Sequence, residues 1–164
     1  MTSARMIGSG FLRTAVNLYF DPAVLERDIT KLRDAGYHVV RADVTGWLSV
    51  ADVHRDLSQM FDFPEYYGHN WDAFNDCFGE YGCPAEASGL VTVLTHFDAF
   101  VVRFPDDAHT LLDIYALRQR DALIGGNHLI CLVQSDDPRL TLKPVGAVVP
   151  QCNRAEWLNR HRGL

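Results

Sequence analysis

Three short apolar runs limit the folds open to this chain more than any other feature. They occupy residues 39–44, 90–94 and 129–133, and they are rich in valine, leucine and isoleucine. Strands that are covered on both faces read as near-continuous apolar runs, as in parallel sheets. The runs therefore predict an α/β fold with a small parallel sheet of three core strands and packed helices.

The stretches between these runs carry helix signals. Ser49 is a suitable N-cap for a helix that continues through Met60. Another helix follows Asp106 and Asp107, and the glycines at 125–126 end it, because glycine adopts left-handed C-terminal positions at little cost. The apolar stripe of this second helix consists of Leu111, Leu112, Tyr115 and Leu123. Strands and helices that alternate in this way predict right-handed crossovers.

A strand and a helix precede this core. Residues 16–20 alternate between apolar and polar side chains, as in a strand, and Asp21 followed by Pro22 is a strong helix start. Gly36 then ends the helix, which leaves almost no linker before the next strand. Because the helix has an apolar face to cover, we expect this N-terminal βα unit to pack beside the main sheet.

The chain is expected to form one domain over residues 1–164. The core covers about 37–134, with an N-terminal extension at 1–36 and a C-terminal extension at 135–164. Beyond a turn at 135–138, the C-terminal extension is predicted to hold a strand at 145–149 and a short helix near 154–158.

Composition excludes several functional classes. The 164 residues are 48% apolar, and the sequence pI near 5.5 argues against general nucleic-acid binding, which leaves a basic footprint. No apolar run approaches the roughly 18 residues of a membrane-spanning helix. Four cysteines without a C-x-x-C pair favour a reduced, cytoplasmic protein. No catalytic or cofactor-binding motif stands out, so neither an enzymatic activity nor a cofactor is expected.

The acidic residues are distributed unevenly. Residues 56–102 contain eight Asp or Glu and no Lys or Arg, whereas the rest of the chain has 15 basic and 13 acidic residues. The formal charge of −6 therefore comes from one acidic, aromatic-rich segment on a nearly balanced body. Such a segment suits a cationic partner, because it steers the encounter and repels acidic competitors.

The centre of this segment reads as a loop followed by a helix. Asn70 is a good N-cap for a helix over residues 71–79, and the loop before it carries adjacent tyrosines and a glycine. The residues expected to face the core are Ala73, Phe74, Cys77 and Phe78. Three carboxylates at a spacing of four, Asp72, Asp76 and Glu80, fall on the opposite side, with Asn75 beside them.

A purely structural role is also open for several of these residues. An acidic helix face is often merely solvated, and Asp72 lies where the helix dipole favours a carboxylate. A position in the core explains one of the two tyrosines, Tyr66 or Tyr67, at least as well as a binding role does. His69, Asp72 and Asp76 could be combined into a metal site, but their spacing matches no strong metal signature, so no metal is expected.

The sequence of this segment closely resembles the central motif of the barstar family, whose members inhibit secreted bacterial ribonucleases. The matching residues are Tyr66-Tyr67-Gly68, Asn70, Asp72-Ala73 and Asp76-Cys77. The order of elements over about 37–134 also fits. The resemblance implies that the loop and helix plug the active site of a ribonuclease, with Asp76 standing where a substrate phosphate belongs. The partner-binding residues it implies are Tyr66, Tyr67, Gly68, Asn70, Asp72, Asn75, Asp76 and Glu80.

Two departures from the family pattern bear on the partner. Asn75 occupies a position where the founding member has a tryptophan, and a late acidic contact in the penultimate helix has no secure counterpart among Leu117, Arg118 and Asp121. The sequence therefore predicts a stoichiometric inhibitor of a basic, extracellular-type ribonuclease, without direct contact to nucleic acid or membrane. The alternative is an interaction module of the same fold whose partner is not a nuclease.

Overall fold

The computed structural model of the chain describes Ile7, residues 10–81 and residues 84–156. These residues contain five strands and five α-helices. The strands are β1 (Val16–Tyr19), β2 (His38–Asp43), β3 (Leu90–Thr95), β4 (Leu129–Gln134) and β5 (Gln151–Cys152). The helices are α1 (Pro22–Asp34), α2 (Val50–Met60), α3 (Trp71–Tyr81), α4 (Phe97–Arg103) and α5 (Pro105–Ile124). Three 3-10 turns occur at Gly10–Leu12, Val44–Gly46 and Arg154–Glu156.

The five strands form one parallel sheet in the order β2-β3-β4-β1-β5. The three predicted core strands lie side by side as expected, but the sheet is larger than predicted. β1 pairs with the outer edge of β4, with Val16 opposite Cys131, which confirms that the N-terminal βα unit packs beside the main sheet. β5 then pairs with β1 through Asn17 and Gln151. Its two residues carry no apolar pattern, so the sequence gives no strand signal there.

Helices cover both faces of the sheet. Alternate residues of β3 point to opposite faces, so Val91 and Val93 pack with α1 while Leu90 and Leu94 face the other helices. The α1 side holds Leu25, Ile29, Leu32, Tyr19, Ile130 and Leu132. The larger cluster on the other side is formed by aromatic and aliphatic residues of α2, α3, α4 and α5. β3 and β4 are buried along their whole length, which explains their continuous apolar runs. The same expectation is wrong for β2, because this strand lies at the edge of the sheet and its residues are exposed or half-buried.

The predicted helix ends are largely confirmed. Asp21 caps α1 by accepting a hydrogen bond from the amide of Ala23, and Ser49 forms a reciprocal capping box with Asp52 at the start of α2. Gly36 follows α1 with a φ of 85°, a conformation that glycine adopts without strain. The assignment of Leu123 to the buried stripe of α5 is wrong, because the last turn leaves the core and exposes 41% of this side chain.

The C-terminal extension differs from its prediction. Residues 145–149 do not form a strand, because Val145 and Val148 exchange backbone hydrogen bonds of 2.8 and 3.0 Å across a tight turn. Gly146 and Ala147 at its centre both have positive φ angles, 55° and 69°. A 3-10 turn at Arg154–Glu156 stands where a helix near 154–158 was predicted, and 157–158 lie outside the described residues. Within the core, α4 has no counterpart among the predicted helices.

A buried polar network joins the two extensions. Glu156 is 0% exposed, and its carboxylate accepts hydrogen bonds from the backbone amides of Phe20 (2.8 and 3.0 Å) and Asp21 (3.0 Å). Asn153 donates from Nδ2 to the Tyr19 hydroxyl at 3.0 Å and to the carboxylate of Asp28 at 2.9 Å. These bonds fasten the C-terminal extension to the end of β1 and the start of α1. Among the described helices, none has the length and hydropathy needed to cross a bilayer.

Candidate functional site

Aromatic packing holds the loop that leads into α3. Phe63 and Tyr67 are buried, with ring centroids 4.9 Å apart, and Phe63 also lies 5.9 Å from Phe74 of α3. The amide of Tyr67 donates to the carbonyl of Pro64 at 2.9 Å, which closes a tight turn. Tyr66 lies between these anchors with 70% of its surface exposed. The loop therefore exposes Tyr66 to solvent and is anchored to the core by Tyr67.

The assignment of Tyr67 to the partner surface requires correction. Only 4% of this residue is exposed, and its hydroxyl lies 2.5 Å from Nδ1 of His54 in α2. Burial, together with the nearby His69, lowers the pKa of His54 and so favours the neutral ring, whose Nδ1 can accept a hydrogen bond from the Tyr67 hydroxyl. Burial also favours the neutral form of Tyr67, whose pKa it raises. Tyr67 thus positions the loop from below.

Gly68 and Asn70 shape the start of α3. Asn70 accepts a hydrogen bond at Oδ1 from the amide of Ala73 at 2.8 Å, which confirms it as the N-cap. Its Nδ2 donates to the carbonyl of Gly68 at 3.2 Å. A Cβ on Gly68 would lie 3.3 Å from the Ala73 side chain, so glycine allows this close turn. The polar atoms of Asn70 are therefore used to build the helix start.

The carboxylates of Asp72, Asp76 and Glu80 line the exposed side of α3, as the spacing predicts. Within residues 10–81 and 84–156, none of them has a hydrogen bond or an ion pair. The opposite side of the helix is buried through Phe74, Cys77 and Phe78. Like charges at this spacing destabilise an isolated helix by about 0.2–0.5 kcal/mol per pair. The packed side of α3 therefore holds in place a row of carboxylates with no internal partner among the described residues.

Asn75 is tied to the neighbouring helix. Arg118 of α5 donates from Nε to its Oδ1 at 3.0 Å and from Nη1 to Asp121 at 3.2 Å. The guanidinium lies so close to α3 that a Cβ on Gly79 would approach Cζ of Arg118 to 2.8 Å. A cation thus flanks the acidic row, although it is already engaged by an amide and a carboxylate. By sequence position Arg118 is a candidate counterpart of the late acidic contact of the family, but nothing in the sequence indicates its contact with Asn75.

Trp71 and His54 were missed as supports of the site. Nε1 of Trp71 donates to the Asp107 carboxylate at 2.7 Å, which links the first turn of α3 to the first turn of α5. The Trp71 ring also packs on His54, with centroids 4.6 Å apart. These contacts join residues far apart in the chain, so no local pattern could have indicated them.

No metal chemistry is evident in this region. His69, Asp72 and Asp76 do not come together, and among the described residues no group of three or more His, Cys, Asp or Glu side chains is placed to hold an ion. Cys77 is buried beneath the acidic row, and burial, with Glu80 and Asp76 nearby, raises its pKa.

A second polar cluster lies at the carboxyl ends of the strands, where open α/β sheets commonly bind ligands. His96 follows β3 with a φ of 59°, and its Nδ1 lies 2.5 Å from the carboxylate of Asp136 beyond β4. The hydrogen bond that the protonated ring donates to Asp136 raises the pKa of His96. Buried Gln134 bonds to both residues, accepting from the His96 amide and donating to Asp136. The three residues thus hydrogen-bond to one another and link the carboxyl ends of β3 and β4.

Comparison with known proteins matches residues 37–134, more than half of the chain, to the family described as Barstar (barnase inhibitor). No curated protein sequence matches the chain. Among solved structures, the ORC2 protein of Aeropyrum pernix, in its ADPNP-ADP complexes, superposes with a TM-score of 0.59 at 14% identity. The superposition covers 83% of this chain but only 40% of that one. At this identity the likeness shows a shared fold and nothing of function.

Proposed function

Because the chain belongs to the barstar family, we propose that it is an immunity-type inhibitor that binds an extracellular-type ribonuclease one to one and masks its active site. The observation that carries this proposal is the row of carboxylates on α3. Asp72, Asp76 and Glu80 are exposed and, within the described ranges, without internal partners, while exposed Tyr66 precedes them on a firmly packed loop.

In the proposed complex, Asp76 takes the place of a substrate phosphate and faces the cationic groups that bind RNA in the enzyme. Charge-assisted hydrogen bonds between carboxylates and Arg or His side chains are short and strong, which suits a phosphate mimic. Asp72 and Glu80 flank this contact, and Tyr66 adds amphipathic area with few rotatable bonds. Because the loop before α3 is already packed in place, binding loses less conformational entropy than it would with an unpacked loop.

The remaining residues of the predicted set support this surface. Tyr67 anchors the loop, Gly68 allows its turn, and Asn70 caps α3, whereas Asn75 reaches the surface paired with Arg118. We therefore assign direct contact to Tyr66 and the three carboxylates. We further propose that the protein acts in the cytoplasm, without a catalytic step, a cofactor or direct contact with nucleic acid.

Arg118 favours a second candidate, an interaction module of the same fold with a non-nuclease partner. A guanidinium beside the acidic row weakens the attraction for a strongly basic enzyme. The tryptophan of the founding member is also replaced by Asn75. These features fit a partner that is less basic than a ribonuclease, so the two candidates differ in what they bind and share the same surface.

The two candidates are separated by inhibition measurements on a panel made of barnase and the exported small ribonucleases encoded in the source genome. Inhibitor function requires that at least one enzyme loses RNA-cleaving activity at a one-to-one ratio, and that Asp76→Ala restores it. The control is Glu65→Ala, an exposed carboxylate outside the α3 row. If no enzyme of the panel is inhibited while the protein is folded, the ribonuclease proposal fails and the second candidate remains.

A further inference from the structure

A groove of about 700 Å³ runs between α3 and α5, and residues 144–147 of the C-terminal extension form one of its walls. Trp71, Asp72 and Asn75 line the α3 side, and Ile114 and Leu117 belong to the α5 side. The groove is therefore continuous with the acidic face of α3, since Asp72 and Asn75 belong to both. It joins the family core to a segment that lies outside the family match.

The wall supplied by the extension is held rigidly. Val145 is 1% exposed and packs in the main core, and the amide of Gly146 donates to the Asp113 carboxylate at 3.1 Å. The turn lies so close to α5 that a Cβ on Gly146 would approach the Cβ of Ala116 to 2.9 Å. Ala147, the next residue of this turn, is exposed. A preformed wall of this kind requires little ordering when a ligand enters the groove.

The lining of the groove indicates what it would hold. Asp72 offers a carboxylate and Arg120 a guanidinium, and neither has a hydrogen-bond or ion-pair partner in the part of the chain that is described. Among the apolar lining residues, Ile114 is half-buried and Leu117 is 39% exposed, which gives the groove an apolar surface. A protein loop supplies what these groups need: a cationic side chain for Asp72, a carbonyl for Arg120 and an apolar side chain for the apolar surface.

We propose that the groove is a second subsite for the ribonuclease, which holds a cationic surface loop of the bound enzyme beside its active site. The 144–147 turn then determines which ribonucleases the protein accepts, because it contacts the enzyme away from the phosphate-binding centre. This inference rests on the proposed inhibitor function. It assigns to the C-terminal extension a role in specificity that the family core alone does not have.

The test places charges of opposite sign on the rim of the groove. Ala147→Lys and Ala147→Glu introduce long side chains at the same backbone position, so the positive φ of Ala147 strains both alike and their difference reports charge. The dissociation constant is measured against the enzyme of the panel that the wild type inhibits best. We expect Ala147→Lys to weaken binding about tenfold or more relative to Ala147→Glu, because like charges across an interface repel.

Matched controls separate the possible outcomes. Val102→Lys and Val102→Glu carry the same charges at an 82% exposed position of α4 that does not line the groove, and they should bind alike. If the two Ala147 variants also bind alike while Asp76→Ala weakens binding, the subsite is overturned and the inhibitor function stands. If the wild type inhibits no ribonuclease, both proposals fall. Self-association of the wild type that Ala147→Lys abolishes would assign the groove to a second copy and overturn the subsite.

Discussion

Replacing Glu156 by alanine should destabilise the protein more than a surface charge change does. The carboxylate is fully buried and accepts hydrogen bonds from the backbone amides of Phe20 and Asp21, at the junction of β1 and α1. Alanine removes this acceptor from both amides at once. Glu156 lies 136 residues from Phe20, so the loss also loosens the C-terminal extension from the N-terminal one.

The magnitude follows from the number of bonds. A hydrogen bond to a charged group contributes about 1.5–3 kcal/mol, so two amide donors account for about 3–6 kcal/mol. Water that enters the vacated space recovers part of this, and we expect a net loss of about 3–5 kcal/mol in the free energy of unfolding. For a chain of this size the melting temperature should fall by roughly 6–20 °C. Glu156→Gln keeps one acceptor oxygen and should cost less.

Urea unfolding followed by circular dichroism measures this free energy, and calorimetry gives the melting temperature. Glu26→Ala is the matched control, because Glu26 pairs with Arg41 at 2.6 Å while its side chain is 48% exposed. An exposed pair of this kind contributes about 0–1 kcal/mol. If the Glu156 and Glu26 variants lose the same stability, the carboxylate does not hold the extensions together and the reasoning is refuted.

Further predictions concern the contact surface and the response to pH. Asp76→Asn should leave the unfolding curve unchanged but cost about 2–5 kcal/mol of binding free energy for an inhibited ribonuclease, a magnitude carried over from measured complexes that include barstar's own. Glu65→Gln should cost under about 1 kcal/mol, and titration calorimetry compares the two variants. The lowered pKa of His54 means that the unfolded state takes up protons first, so stability falls as pH drops below the ordinary histidine pKa; His54→Gln should reduce this loss in urea unfolding at several pH values. The raised pKa of His96 acts oppositely: its stabilisation is full below the ordinary pKa and is lost as pH rises through the folded pKa, so His96→Gln should remove stability mainly on the acid side. Gly79→Ala should change the free energy of unfolding by at most about 1 kcal/mol, because the gain in helix propensity is offset by the shift that the new Cβ imposes on the flexible end of Arg118. Denaturant unfolding measures this change, and a much larger loss would show that Arg118 cannot move.

The core strands and most helices were predictable because their signals are local. Buried parallel strands give continuous apolar runs, and caps such as Ser49 and Asn70 act within one turn of chain. β5 has no such signal, since two residues form a strand only because Asn17 lies opposite Gln151. The prediction at 145–149 failed for a related reason. Its valines read as a strand, but two successive residues with positive φ turn the backbone back on itself.

The acidic row of the candidate site was predictable because helical periodicity places residues four apart on one face. The sequence could not tell which tyrosine faces outward, because both belong to the same turn and only the packing of Tyr67 against His54 distinguishes them. It also could not reveal that Arg118 covers Asn75, since the two residues are 43 positions apart. Positions on one helix are thus fixed by periodicity, whereas pairing between helices depends on the tertiary fold.

The position of β1 indicates why the family core is combined with its extensions in this chain. Without β1, the fully buried strand β4 would lie at the edge of the sheet with unpaired backbone groups, which is a common starting point for aggregation. β1 covers that edge, and α1 covers the apolar residues that β3 and β4 direct to the second face. The C-terminal extension then adds β5 outside β1 and fastens the junction through Glu156. The same extension reaches the groove beside α3, so the segment that adds the last strand to the sheet also supplies a wall next to the proposed contact surface.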